Sequence, residues 1–151
     1  MGCNGGDMGL AMDYVAVKGL ETETDYPYEG YDDDCHYDET KSTNFIKSHI
    51  YVTPNDPVAL LNAVAKGPVS VAIEADSFVF QFYGGGVFSS KSCGTDLDHG
   101  VLVVGYGMES MKDYWIVKNS WGLYWGDSGY IKIARDMNKS GPKDGLGICG
   151  I

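Results

Sequence analysis

The 151-residue chain carries 21 acidic and 11 basic side chains, a formal net charge of −10, which argues against a partner held through its phosphate backbone. Hydrophobic residues make up 44% and charged residues 21%, the balance of a globular chain rather than a disordered one. No apolar run approaches the ~20 residues needed to span a bilayer, so no membrane span is expected.

This length suits one domain or two small lobes sharing a core. Met1 leads straight into Gly2-Cys3-Asn4-Gly5-Gly6, with no secretory leader, and the expected reading is a fragment. The acidic balance suits an acidic compartment. Cys3, Cys35, Cys93 and Cys149 form no CxxC pair, so no zinc site or other metal is expected. Four cysteines in an otherwise ordinary chain fit an oxidising compartment. Asn138-Lys139-Ser140 is a glycosylation sequon.

In chain order, residues 7–18 read as a helix. Met8, Ala11, Met12, Val15 and Ala16 form one apolar stripe, Asp7 stands in the first turn where an anion is favoured, and Gly19 marks the stop. Residues 20–44 are irregular. Asp32-Asp33-Asp34 reads as a solvated loop, and His36 and His49 as surface residues. Ile46 to Val52 alternates apolar and polar, the pattern of a half-buried strand. Asp56-Pro57 reads as an N-cap followed by proline at the first helical position. That helix carries Leu60, Leu61 and Val64 and stops at Gly67-Pro68.

From there the chain reads as β. Val69 to Ile73 is a strand, and the aromatic-rich stretch from Phe78 to Tyr83 is a short helical turn closed by Gly84-Gly85-Gly86. Strands follow at 100–106, 114–118 and 129–134. Short strands with glycine turns predict an antiparallel sheet or partly closed barrel. A lobe boundary falls near residue 50.

Two apolar strands carry the chemistry. One begins at Asp98-His99, and the other ends at Asn119-Ser120-Trp121. A neutral imidazole can take a proton from a thiol and return it to a leaving amine. An amide oxygen on the other ring nitrogen fixes tautomer and ring direction without adding charge. Trp121 could cover that bond. The spacing alone also allows His99 to be a plain strand-start histidine and Asn119 a turn residue.

The full strings go further. Gly2-Cys3-Asn4-Gly5-Gly6, Tyr26-Pro27-Tyr28, Gly67-Pro68-Val69-Ser70-Val71, Asp98-His99-Gly100-Val101-Leu102-Val103-Val104-Gly105-Tyr106-Gly107, Lys118-Asn119-Ser120-Trp121-Gly122 and Trp125-Gly126 occur in this order. Together they resemble the papain-like cysteine proteases, most nearly the cathepsin L-like branch. The resemblance runs the length of the chain. It implies an α+β, papain-like two-lobe fold. Residues 1–50 would be a remnant of the helical left lobe, and residues 51–151 the antiparallel, β-barrel-like right lobe carrying the catalytic His99 and Asn119.

In this family the nucleophilic cysteine precedes the His and Asn by roughly 130–150 residues, which falls about 31 positions before Met1. No C-G-[SA]-C-[WY] string occurs here. The nucleophile, and the glutamine that helps build the oxyanion hole, are therefore expected to be missing. The resemblance pairs Cys93 with Cys149; it matches Cys3 to a disulfide cysteine whose partner lies upstream and Cys35 to another half-cystine, so both are expected unpaired within these residues. It also implies a tail beyond Cys149-Gly150.

By the same resemblance Gly5 and Gly6 hold an extended substrate through their backbone. Met8, Ala72 and Leu97 wall the pocket for the second residue before the scissile bond and imply a hydrophobic preference there. Asp7 departs from the apolar or aromatic residue usual beside Met8. Asp98 tunes the ion pair, or is simply a solvated strand-start acid. Trp125 lines the leaving-group side, or packs the lobe.

The implied function is a cysteine-type endopeptidase of a lysosome, vacuole or secreted fluid, monomeric and free of cofactors. Its partners would be polypeptide substrates and propeptide or cystatin-like inhibitors, with no nucleic acid. The isolated chain is expected to be inactive. The competing readings are a catalytically inactive binding or regulatory protein on the same fold, and a chain that pairs with a separate one carrying the cysteine helix.

Overall fold

A computed structural model describes residues 2–135 and 146–151; the sequon at Asn138 lies outside them. The chain divides into two units, Met1–Tyr51 and Val52–Ile151.

The first unit is built on helix α1, Met8–Lys18. Asp7 is not in its first turn but is its N-cap, in extended conformation, and its side chain accepts from the Leu10 N–H. Capping uses the carboxylate twice, as an acceptor for an orphan donor and as an anion at the positive helix end. Gly19, at φ 73°, ends the helix by donating to Val15 O. Ala11 in the expected apolar stripe is exposed, while Gly9 is buried. His49 is not a free surface residue. Its ring packs edge-on to Tyr51 at 5.3 Å, and Nδ1 lies 3.5 Å from Asp13 Oδ1.

Ile46 to Val52 is not a strand. The alternation is there, but no strand among the described residues pairs with it, and Ile50 and Tyr51 are 89% and 79% exposed. A pleat without a ladder leaves its backbone groups to solvent.

The second unit opens with α2, Pro57–Val64, capped by Asp56, whose Oδ1 accepts from the N–H groups of Val58 and Ala59, both at 3.0 Å. The helix ends at Val64, ahead of the Gly67-Pro68 stop. Strand β1 is Val69–Ile73, followed by the single helical turn α3, Phe78–Gln81. The remaining strands are β2, Val87–Phe88; β3, His99–Glu109; β4, Lys112–Lys118; and β5, Tyr130–Ala134.

They form one five-stranded sheet in the order β1-β3-β4-β5-β2. The first three pairings are antiparallel. The short β2 pairs parallel to β5, so the sheet is mixed rather than purely antiparallel. The alternation in β3, β4 and β5 sends Val101, Val103, Trp115, Val117, Ile131 and Ile133 inward, where they pack with Phe80, Ile73 and the Cys93–Cys149 disulfide. Cys3 and Cys35 are free and exposed.

Candidate active site

The β1–β3 ladder places His99 opposite Ile73, at the end of both strands. Asn119 follows the last residue of β4, and its N–H donates to Gly129 O at 3.0 Å. Because β4 is the neighbour of β3, the start of one strand and the end of the other come together. His99 Nε2 lies 2.8 Å from Asn119 Oδ1.

That contact defines a tautomer. Asn119 Oδ1 also accepts from the Ser120 N–H at 2.8 Å. A backbone N–H can only donate, so the atom facing it is the amide oxygen and not the nitrogen. A ring nitrogen bonded to that same oxygen must itself carry hydrogen. Nε2 is thus the protonated nitrogen of the neutral ring, and Nδ1 is left with the lone pair.

Asn119 is only 8% exposed. Trp121 stacks on the imidazole, with ring centroids 5.2 Å apart and planes inclined by 27°. A ring on that face keeps water from competing for the His99–Asn119 bond. Trp121 is in turn held by Phe80, edge-on at 5.6 Å, and by Trp125, edge-on at 5.2 Å. The Trp125 indole N–H donates to Gln81 O at 2.9 Å. Trp125 thus stands behind Trp121 and ties it to α3.

Asp98 does not stand free at the strand start. Its Oδ1 accepts from the Ala75 N–H at 2.8 Å, and its N–H donates to Ile73 O at 3.0 Å. Asp98, His99 and Trp121 line one surface cavity of about 500 Å³ together with Ala75, Asp76, Gln81 and Phe82. The last four carry no motif signal. The aromatic turn at 78–83 was legible, but its place beside His99 depends on how β1 and β3 pair.

The other expected site residues fall as follows. Ala72 lies in β1 opposite Gly100. Leu97 is in the loop before β3, 56% exposed, with its side chain over Gly150. Neither lines the cavity at His99. In the first unit Met8 begins α1 and is half-buried. Gly5 and Gly6 are exposed, and a Cβ on either would meet nothing within 4 Å. Gly5 has φ 85°, a region that side chains rarely adopt.

The family model for papain family cysteine proteases matches residues 1–151. A KDEL-tailed cysteine endopeptidase of Arabidopsis thaliana is 52% identical over 154 residues, covering 99% of this chain and 40% of its own length. Vignain of Ricinus communis is 50% identical over 154 residues, covering 99% of this chain and 41% of its own length. Among solved structures, the bromelain protease from Ananas comosus, in complex with the E64 inhibitor, gives a TM-score of 0.89 at 39% identity. The match covers 99% of this chain and 67% of that one. Digestive procathepsin L 3 of Tenebrio molitor gives a TM-score of 0.87 at 42% identity, covering 99% of this chain and 47% of that one. The chain thus spans about two fifths of the two curated relatives.

Proposed function

Because this chain belongs to the papain family of cysteine proteases, we propose that it supplies the acid–base half of a thiol-dependent endopeptidase site. The observation that carries this reading is the 2.8 Å bond between His99 Nε2 and Asn119 Oδ1. It leaves Nδ1 as the proton acceptor, with ring direction set by a neutral amide.

In the proposed reaction His99 Nδ1 takes the proton of a cysteine thiol. The resulting thiolate attacks the scissile carbonyl carbon, and the imidazolium returns its proton to the leaving amine. Water, deprotonated by the same nitrogen, then hydrolyses the acyl thioester. The imidazolium also lowers the thiol pKa, which favours the nucleophilic form. In this reading Asp98, a carboxylate held by the Ala75 N–H in the same cavity wall, tunes the thiolate–imidazolium pair. Trp121 shields the His99–Asn119 bond, and Trp125 props Trp121.

The nucleophile in this reading comes from outside these 151 residues. Cys93 and Cys149 are bonded to each other. Cys3 and Cys35 stand in Gly2-Cys3-Asn4 and Asp34-Cys35-His36, strings unlike the nucleophile motif. The isolated chain then has no protease activity. Residues 1–50 serve as part of a helical lobe and 51–151 as the β-rich lobe. In the first unit Gly5 and Gly6 hold the substrate backbone and Met8 offers an apolar side chain; in the second unit Ala72 and Leu97 offer an apolar wall for the second residue before the cleaved bond. Polypeptides are the substrates, propeptide- or cystatin-like chains the inhibitors, and a lysosome, vacuole or secreted fluid the place of action.

Treating the full-length protein with a thiol-directed peptidyl epoxide at mildly acidic pH tests this. The wild type should label with one equivalent, and His99→Ala far more slowly. A folded full-length protein that does not label overturns the reading and leaves a binding or regulatory role for the same fold.

A further inference from the structure

The carboxylate of Glu74 has no part in the chemistry above, yet it sits where three segments meet. Glu74 directly follows β1. Its N–H donates to Cys149 O at 3.0 Å, and Cys149 is bonded to Cys93. Its Oε1 accepts from the Gly94 N–H at 2.9 Å, and its Oε2 accepts from the Asp96 N–H. The residues on either side are engaged as well. Ile73 O accepts from the Asp98 N–H, and the Ala75 N–H donates to Asp98 Oδ1. Three consecutive residues thus grip the segment from Gly94 to Asp98.

The grips differ in what they hold. The β1–β3 ladder and Ala75 fix Asp98 and His99. The Glu74 carboxylate fixes the stretch just before them, which has no ladder of its own. Gly94 fits this closeness: a Cβ there would lie 2.4 Å from both Glu74 oxygens. Leu97 comes next. Its side chain rests on Gly150, where a Cβ would lie 2.6 Å from Leu97 Cδ2. With Leu97 more than half exposed, its own packing is a weak anchor. Two charge-assisted bonds to the loop backbone are a stronger one.

We infer that Glu74 is a positioning residue for the Gly94–Leu97 loop, and through Leu97 sets how strongly the protease selects a bulky apolar side chain in the second position before the scissile bond. This rests on the peptidase reading given above.

The test uses the full-length protein and two peptide substrates that differ only at that second position, leucine or alanine. Glu74→Ala should lower the leucine-to-alanine ratio of kcat/KM by about tenfold, the scale of a degraded apolar pocket, chiefly through KM. Alkylation of the catalytic thiol by iodoacetamide, which is too small to use the pocket, should keep its wild-type rate. Gly94→Ala should give the same loss, and adding it to Glu74→Ala should change nothing further, because both break one contact. An unchanged ratio in folded Glu74→Ala overturns the inference, as does an equal fall for both substrates and for alkylation. If Glu74→Ala does not fold, Glu74→Gln, which keeps one acceptor oxygen, takes its place and should show a smaller fall in the ratio. If the wild type cleaves neither substrate, the peptidase reading is what fails. Amide hydrogen exchange at Gly94 and Asp96 then decides the latch: protection in wild type that is lost in the variant supports it, and equal protection in both overturns it.

Discussion

His99 Nε2 and Asn119 Oδ1 lie 2.8 Å apart although twenty residues separate them in the chain. The same oxygen accepts from the Ser120 N–H, so the amide is oriented before the imidazole meets it. An imidazole held this way needs no reorganisation to present Nδ1. On the proposed peptidase reading, replacing Asn119 by Ala should cut kcat of the full-length protein by about 10- to 100-fold, since an orienting group cannot exceed the 10²–10⁴-fold contributed by the base it serves. Steady-state kinetics beside a near-UV dichroism spectrum would check this. An unchanged kcat would mean that the histidine is held by something else.

Trp121 covers that bond from one side while itself 40% exposed. Trp121→Phe keeps a ring over the imidazole and should retain most of the activity. Trp121→Ala opens the bond to water and should lower kcat about tenfold, a loss of about 1.4 kcal/mol in the transition state. Equal rates in the two variants would remove the shielding role.

The Cys93–Cys149 bond closes a loop across a sequence separation of 56 and is fully buried. In the chain-entropy model such a link contributes about 4 kcal/mol. The double substitution Cys93→Ala/Cys149→Ala should therefore lower the urea midpoint of the full-length protein markedly. Reductant should lower the wild-type midpoint as well, and the variant's by less. A wild-type midpoint that ignores reductant would contradict the pairing.

Burial pushes the Tyr83 hydroxyl above its ordinary value of 10.0, and the Lys132 N–H, which bonds to it, pulls the other way. Its own hydroxyl donates to Gly86 O at 2.6 Å. A folded pKa above the unfolded one means that this stabilisation is fully present below pH 10 and is lost as pH rises through the folded value. Tyr83→Phe should cost about 1 kcal/mol at neutral pH by losing that hydrogen bond. It should also flatten the alkaline fall in stability above pH 10. Urea midpoints of both proteins at pH 8 and above pH 10 would show it, and parallel curves would refute it.

Much of the site was readable from local strings. Asp56-Pro57 announces a capped helix because a cap is decided within three residues. The runs at 114–118 and 129–134 announce strands because a short apolar run bounded by turn residues is a local signal. The pairing of His99 with Asn119 was foreseeable as an arrangement, and the family strings, matched over residues 1–151, made it specific. What could not be read was who stands opposite whom. Glu74 looks like any acid after a strand until its carboxylate meets Gly94 and Asp96, some twenty residues on. Ile46 to Val52 has the rhythm of a strand and yet is none, because a strand also needs a neighbour.

The sequence by itself determined the helix at 7–18, helix α2 with its aspartate cap, the strand runs at 100–106, 114–118 and 129–134, the family, and the His99 and Asn119 strings. These are fixed by interactions within a few positions along the chain. Only the tertiary structure decided that β2 runs parallel to β5, that the Asn119 oxygen rather than its nitrogen faces the ring, and that Phe80 and Trp125 prop Trp121. It also decided that Glu74 clasps the loop ahead of His99. Each of these depends on a contact between segments distant in sequence, and such contacts exist only once the sheet has chosen its strand order.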